Sequence, residues 1–171
     1  MTPTGCCSPR GVKTSMDNLE IERKFLLDKF PDSLPLLESA EVWQGYISTA
    51  PVVRIRKKVT ADGESYRLCF KGEGGLVRTE VEMPLPAEKY EALLPLLGAA
   101  PVHKVFRVYA LPSGERLECS LVDGQYYYAE VEFPTVEKAR AFLPPAFLGE
   151  EKTDDPAFSM SRYWQTRKFP T

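Results

Sequence analysis

Glu20, Glu22 and Lys24 alternate along one short stretch. The same spacing recurs at Arg54 and Arg56, at Arg78, Glu80 and Glu82, at Glu118 with Ser120, and at Glu130 and Glu132. Lys58 continues the Arg54/Arg56 row, Lys71 follows Arg67 and Cys69 on one face, and Lys104 opens a later segment. In an extended chain, residues two apart point the same way, so each row sets ionisable groups on one face of a strand. Arginine and lysine together suit phosphate oxygens, which arginine takes with two parallel hydrogen bonds. Carboxylates fit beside a polyanion only with a divalent cation between them. Mg²⁺ or Mn²⁺ accepts carboxylate oxygen on one side and phosphate oxygen on the other. Such an ion lowers the pKa of a bound water and stabilises charge on a reacting phosphoryl group. Phosphoryl transfer asks a protein mostly for positioning and electrostatics.

A single alternating charged strand is ordinarily the wet face of a sheet. Five such rows in one short domain would have to cover nearly all of a curved sheet. If the sheet closes with these faces inward, the charges need partners or ligands. If they face outward, the opposite residues must fill the interior. Periodicity alone leaves both directions open.

The elements that carry these rows read mostly as strands: Leu19 to Leu27, Glu41 to Thr49, Val52 to Thr60, Glu64 to Gly72 and Leu76 to Pro84 in the first half. Val102 to Ala110, Glu115 to Leu121 and Gln125 to Phe133 follow in the second. Turn signals at Ala61-Asp62-Gly63, Gly74-Gly75, Pro112-Ser113-Gly114 and Val122-Asp123-Gly124 join neighbours, so antiparallel pairing is expected. A short helix is expected near Pro31 to Pro35, a longer one over Pro86 to Leu97, one over Thr135 to Phe142, and a last one containing Phe158 to Trp164 and capped by Asp154 or Asp155. Pro95 shortens or kinks the second. The fold class is α+β. Eight antiparallel strands can close into a β-barrel and lose their edges, leaving the helices peripheral.

The chain is 171 residues long, enough for one domain with a real core. Residues 1–15 are rich in Pro, Gly, Ser and Thr and read as a flexible extension, with residues 16–171 as the single domain. No apolar h-region or bilayer-length apolar run is present, so a cytoplasmic protein that does not touch a membrane is expected. A net charge of −2, from 22 basic and 24 acidic side chains, argues against a double-stranded nucleic-acid binder. Cys69 and Cys119 read as core thiols in a reducing compartment, with a disulfide between them less favoured. His103 reads as a surface or strand residue. Trp43, Phe158 and Trp164 are expected to pack outer helices on the sheet, and Tyr126-Tyr127-Tyr128 to alternate between packing and solvent. Neither a GxxxxGK[ST] phosphate loop nor a GxSxG elbow occurs.

Leu19-Glu20-Ile21-Glu22-Arg23-Lys24-Phe25-Leu26 resembles the opening ExExK signature of the CYTH superfamily, the triphosphate tunnel metalloenzymes. The resemblance continues through Gln44-Gly45-Tyr46-Ile47-Ser48, Val53-Arg54-Ile55-Arg56, Leu68-Cys69-Phe70-Lys71-Gly72 and Arg78-Thr79-Glu80-Val81-Glu82. It extends to Leu117-Glu118, Ala129-Glu130-Val131-Glu132 and Leu148-Gly149-Glu150-Glu151, spanning most of Met16 to Trp164. It implies an eight-stranded antiparallel tunnel with both ends open and the charges inside. Lys24, Arg54, Arg56, Lys71, Arg78 and Lys104 would bind phosphate. Glu20, Glu22, Glu130, Glu132 and Glu118 would bind Mg²⁺ or Mn²⁺, and Lys24, Lys104, Glu80 and Glu82 would take catalytic roles. The implied activity is hydrolysis of inorganic tripolyphosphate or another small triphosphate. Adenylyl cyclase or thiamine triphosphatase chemistry is the second reading, and a catalytically weakened polyphosphate- or nucleotide-binding module the third. The expected partner is the triphosphate itself, and a homodimer is compatible with this reading.

The chain departs from that pattern at several points. Phe106 stands where relatives usually carry the second cation of a Lys-x-Arg face. Arg107, one place late, should face away. Ser120 stands where an acid is usual, Glu151-Lys152-Thr153 replaces Glu-Val-Thr, and Phe158-Ser159-Met160 replaces a Tyr-Asn pair.

Overall fold

The computed structural model describes residues 18–169. The expected extension at 1–15 therefore lies outside the described residues. Eight strands run as β1 Leu19–Leu26, β2 Leu36–Thr49, β3 Val52–Thr60, β4 Gly63–Lys71, β5 Val77–Pro84, β6 Val102–Ala110, β7 Arg116–Val122 and β8 Tyr126–Glu132. They close into a barrel in the order β1-β5-β4-β3-β2-β6-β7-β8, with each neighbouring pair antiparallel. Helices α1 Ala87–Leu93, α2 Val136–Ala141 and α3 Met160–Thr166 lie outside it. No described helix is long and apolar enough to cross a membrane.

The position of the core fixes which way the charges point. Ile21 and Phe25 of β1, Leu117 and Cys119 of β7, and Ala129 and Val131 of β8 form one buried cluster with Ala139 of α2, Phe142 and Leu148. These residues alternate with the ionic rows, and they lie on the outer wall beneath α2 and the following segment. With the apolar set outside, the charged set must line the bore. Arg23 belongs to the outer face. Its guanidinium makes two 2.7 Å hydrogen bonds to Glu151 and donates to the carbonyls of Ala139 and Phe142, tying β1, the end of α2 and the C-terminal segment together.

A second cluster covers one end of the barrel, where β2 turns into β3. Tyr46, Val102, Val122 and Tyr128 meet Phe158, Tyr163 and Trp164 there. Ser159, Met160 and Ser161 reach the lining of the bore at this end. The two open ends implied by the resemblance are thus corrected to one covered end and one mouth, the latter on the side of the β3–β4 turn. The cover forms because Phe158 and Trp164 are too apolar to leave in water.

Several element boundaries differ from expectation. The Pro31–Pro35 segment is turn, not helix, and β2 begins at Leu36 because β6 offers partners that far, from Val102 to Tyr109. Helix α1 stops at Leu93 and tightens into a 3₁₀ turn over Leu94–Leu96, since Pro95 has no N–H to continue the α ladder. Its buried residue is Tyr90, while Leu96 is exposed. Helix α3 starts at Met160, later than a cap at Asp154 or Asp155 would place it, and leaves Phe158 outside. Ser159 Oγ caps it by accepting from Arg162 N, whereas Asp155 turns on itself by accepting from Ala157 N. Trp43 meets His103 of β6, the two rings tilted at 42° with their centroids 5.0 Å apart. Cys69 is buried in the bore wall between Arg67 and Lys71 and not in the outer core, and both it and Cys119 are free thiols. Tyr127 packs edge-on to Phe30 and does not face open solvent.

Candidate active site

The bore is a cavity of about 280 Å³, and all thirteen side chains singled out in the sequence line it. β1 delivers Glu20, Glu22 and Lys24, β3 delivers Arg54 and Arg56, and β5 delivers Arg78, Glu80 and Glu82. Lys71, Lys104, Glu118, Glu130 and Glu132 complete the ring from β4, β6, β7 and β8. The period of two along every strand is what allows one closed wall to collect so many charges.

The charges sort into three groups. In the first, Lys71 Nζ lies 3.0 Å from Glu20 and 2.7 Å from Glu80, and Arg78 Nε lies 2.8 Å from Glu20. Burial alone would raise the Glu20 pKa, but Lys71 and Arg78 hold it well below the usual carboxylate range. Glu80 Oε2 meets Lys71 at an angle that makes no hydrogen bond.

In the second group, Glu82 faces three guanidinium groups: Arg54 at 3.6 Å, Arg56 at 3.5 Å and Arg67 at 3.6 Å. One carboxylate cannot satisfy three arginines. The Nε atoms of Arg54 and Arg56 are buried and have no hydrogen-bond partner. A buried donor left in this state is costly, and an anion with several oxygens would relieve it.

In the third group, carboxylates outnumber cations. Lys24 lies 3.0 Å from Glu22 and 3.7 Å from Glu130, and Arg78 adds a longer contact to Glu22. Glu118 and Glu132 have no ion-pair partner among the described residues. Burial, with repulsion from Glu130, Glu132 and Glu22, pushes Glu118 up to about 7. Burial and repulsion from Glu130 raise Glu22 as well, and burial with the charges of Glu20 and Glu80 raises Glu132. This all-oxygen, self-repelling set fits a hard divalent cation. A tighter geometric trio is Cys69, Glu80 and Glu82, but the arginines already engage Glu82.

Lys104 stands apart. Its Nζ donates a 2.6 Å hydrogen bond to Tyr128 Oη, and the residue is buried. Burial, together with the positive charges of Arg54, Arg56 and Lys71, lowers it to about 7, against the pull of Glu130.

Other lining residues escaped the reading of single rows: Gln44 and Tyr46 on β2 and Tyr128 on β8, while Lys58 lines the bore as the continuation of the Arg54/Arg56 row and faces Phe106. Alternation from Val42 through Gln44 to Tyr46 is the signal that could have marked the β2 pair. Arg107, as expected, turns outward and meets Asp32 at 3.2 Å.

A closed eight-stranded antiparallel barrel lined by rows of cations beside a carboxylate cluster is the arrangement of the triphosphate tunnel class. No family model matches the chain. It is 37% identical over 139 residues to the inorganic triphosphatase of Nitrosomonas europaea, covering 80% of this chain and 90% of that protein. It resembles the crystal structure of the inorganic triphosphatase NE1496 with a TM-score of 0.61 at 30% identity, covering 89% of this chain and 97% of that one. HpAC1 from Hippeastrum, named as an adenylyl cyclase and described as having a dominant triphosphatase activity, matches with a TM-score of 0.59 over 88% of this chain and 97% of that one. At 15% identity, the likeness to HpAC1 is one of fold alone. The chain belongs to the CYTH superfamily of triphosphate tunnel metalloenzymes.

Proposed function

We propose that this protein hydrolyses inorganic tripolyphosphate to phosphate and pyrophosphate with the help of Mg²⁺ or Mn²⁺. The observation that carries the proposal is the pair of buried, unpartnered Nε donors on Arg54 and Arg56 inside a closed bore. A polyphosphate chain offers oxygens to both at once. The relative at 37% identity is an inorganic triphosphatase by name, which supports the same substrate class.

Arg54, Arg56, Lys71, Arg78 and Lys24 would bind the phosphate oxygens. Glu20, Glu80 and Glu82 fix Arg54, Arg56, Lys71 and Arg78 before substrate arrives, so that little reorganisation remains at the moment of reaction. Lys104, near neutral titration and held by Tyr128, would keep a proton at Nζ in reach of the polyanion. Glu22, Glu118, Glu130 and Glu132 would hold the divalent ion, with Glu20 beside them. When bound, that ion supplies neutralising charge at the reacting phosphoryl group. The free, buried Cys69 and Cys119 support a reducing, cytoplasmic setting.

The test is product release from tripolyphosphate, ATP and thiamine triphosphate with Mg²⁺ and separately with Mn²⁺, products identified by mass. Phosphate and pyrophosphate from tripolyphosphate should form fastest. Cyclic AMP with pyrophosphate from ATP, or faster loss of phosphate from thiamine triphosphate, would replace this reading. Tight binding with no turnover would make the chain a binding module, with Phe106 and Ser120 as the departures to examine first.

A further inference from the structure

Phe106 is an anomaly on its own terms. It lines a bore otherwise dominated by charge, beside the buried Ser120 of β7 and opposite Ala40 of β2. An apolar ring at such a place loses favourable surroundings unless something meets its face. Lys58 does so: its Nζ lies 4.9 Å from the Phe106 ring centroid. The contact crosses β2, which separates β3 from β6 in the barrel. Across β2, Lys58 is paired with Val42 and Phe106 with Ala40, so the contact runs diagonally toward the position where β2 carries only a methyl side chain. The Lys58 ammonium is also ion-paired with Glu38, the next residue but one along β2 toward the mouth. Two anchors therefore hold one cation at the opening of the bore.

Lys58 also extends a ladder. Arg54, Arg56 and Lys58 stand two residues apart on β3, from the covered end toward the mouth. At about 3.3 Å per residue, this row spans roughly 13 Å. Arg54 and Arg56 are spent partly on Glu82, whereas the partners of Lys58 are an aromatic face and the partly exposed Glu38. Both partners are exchangeable. A cation over a half-buried ring and an ion pair to a partly exposed carboxylate are both weak contacts. A phosphate oxygen entering the mouth makes a stronger, charge-assisted contact.

We propose that Lys58 is a further substrate-binding residue of this tunnel, contacting the outermost phosphate of the polyphosphate at the mouth, and that Phe106 is its positioning residue. The inference rests on the reading of the bore as a polyphosphate site. Phe106 keeps the ammonium over the opening instead of letting it swing into solvent, so the apolar residue contributes to phosphate binding without touching phosphate.

The experiment is calorimetric titration of the full chain with inorganic tripolyphosphate in EDTA, with KM and kcat measured in Mn²⁺. The variants are Lys58→Met, Lys58→Arg, Phe106→Leu, the Lys58→Met/Phe106→Leu double variant, and Arg54→Met as a reference. Lys58→Met should weaken binding about tenfold and raise KM more than it lowers kcat. Lys58→Arg should retain most of the affinity. Phe106→Leu should cost about threefold when Lys58 is present and nothing in the Lys58→Met background. Unchanged thermal midpoints and circular dichroism confirm that each variant is folded. If Lys58→Met binds like the parent while Arg54→Met does not, the mouth assignment is wrong and the tunnel reading stands. If neither variant loses affinity, the tunnel reading itself fails. An equal effect of Phe106→Leu in both backgrounds removes its positioning role.

Discussion

Lys104 donates its 2.6 Å hydrogen bond to Tyr128 from a fully enclosed position, and its pKa is lowered from 10.5 to about 7. The cause is burial, with the nearby cations Arg54, Arg56 and Lys71 adding to it. Between about pH 7 and 10.5 the unfolded chain binds this proton more readily than the folded one. Stability should therefore rise with pH across that window, because the penalty is complete below 7 and gone above 10.5. Lys104→Met removes the buried charge at similar length. The variant should melt about 3 °C or more above the parent at pH 6.5, with the gain shrinking by pH 10. Melting curves at the two pH values decide it; an equal gain at both would mean that lost charge is not the cause.

The same proton should report on the ligand. A polyanion beside Lys104 favours the ammonium form, so binding at pH 8 takes up a proton that the free protein does not hold. Titrations of tripolyphosphate in two buffers of different ionisation enthalpy should show net uptake, and Lys104→Met should reduce it, with the raised Glu22 and Glu118 carrying the remainder. Equal apparent enthalpies for the parent in both buffers would place the ligand away from Lys104.

Arg54 and Arg56 give a sharper test of geometry than of charge. Each keeps a buried Nε without a partner. Lysine can replace the charge of Arg54 but cannot present a planar set of N–H donors. Arg54→Lys should thus bind tripolyphosphate about tenfold more weakly than the parent, despite an unchanged net charge. Affinity within a factor of two of the parent would show that Nε is not used.

These relationships were legible in the sequence to different depths. The ionic rows were visible as period-two patterns, and so were the apolar residues that alternate with them. Their direction was not visible, because it depends on α2 and its following loop covering Phe25, Leu117 and Val131 on the outside. The stretch of β2 from Leu36 to Ala40 was missed because its pairing partner, β6, lies about seventy residues away in sequence. The start of α3 was misplaced because two acids and a serine competed for one cap, and local sequence does not say that Asp155 spends its carboxylate on Ala157. The contact between Lys58 and Phe106 exists only once the sheet has closed and β2 presents a small side chain at the position paired with Phe106.

Glu118 tests the metal assignment. It has no cation partner among the described residues and faces the charges of Glu130, Glu132 and Glu22. Glu118→Gln keeps the shape and removes one repelling charge, so without metal the variant should be more stable than the parent at pH 8. It should also gain less from the ion. Thermal shifts with Mn²⁺ and Mg²⁺, read against EDTA, should be at least halved. A full metal-induced shift in the variant would move the ion elsewhere, with Cys69, Glu80 and Glu82 the next set to alter.

Arg23 sits between Glu22 and Lys24 in sequence yet on the opposite side of the wall, and this separates structural from functional charge within one strand. Its guanidinium binds Glu151 through two hydrogen bonds and takes up the carbonyls of Ala139 and Phe142 at the end of α2, where a cation also opposes the helix dipole. The Arg23 side chain is 13% exposed and that of Glu151 is 38% exposed, so the ion pair itself is partly screened by water. The two carbonyls are the larger loss, because they become unsatisfied if the arginine goes. Arg23→Met should cost about 2 kcal/mol and lower the melting midpoint by roughly 4–8 °C. Affinity for tripolyphosphate, measured well below that midpoint, should stay within a factor of two of the parent. A variant that keeps its midpoint but loses affinity would place Arg23 in the ligand's path, which its position on the outer wall forbids.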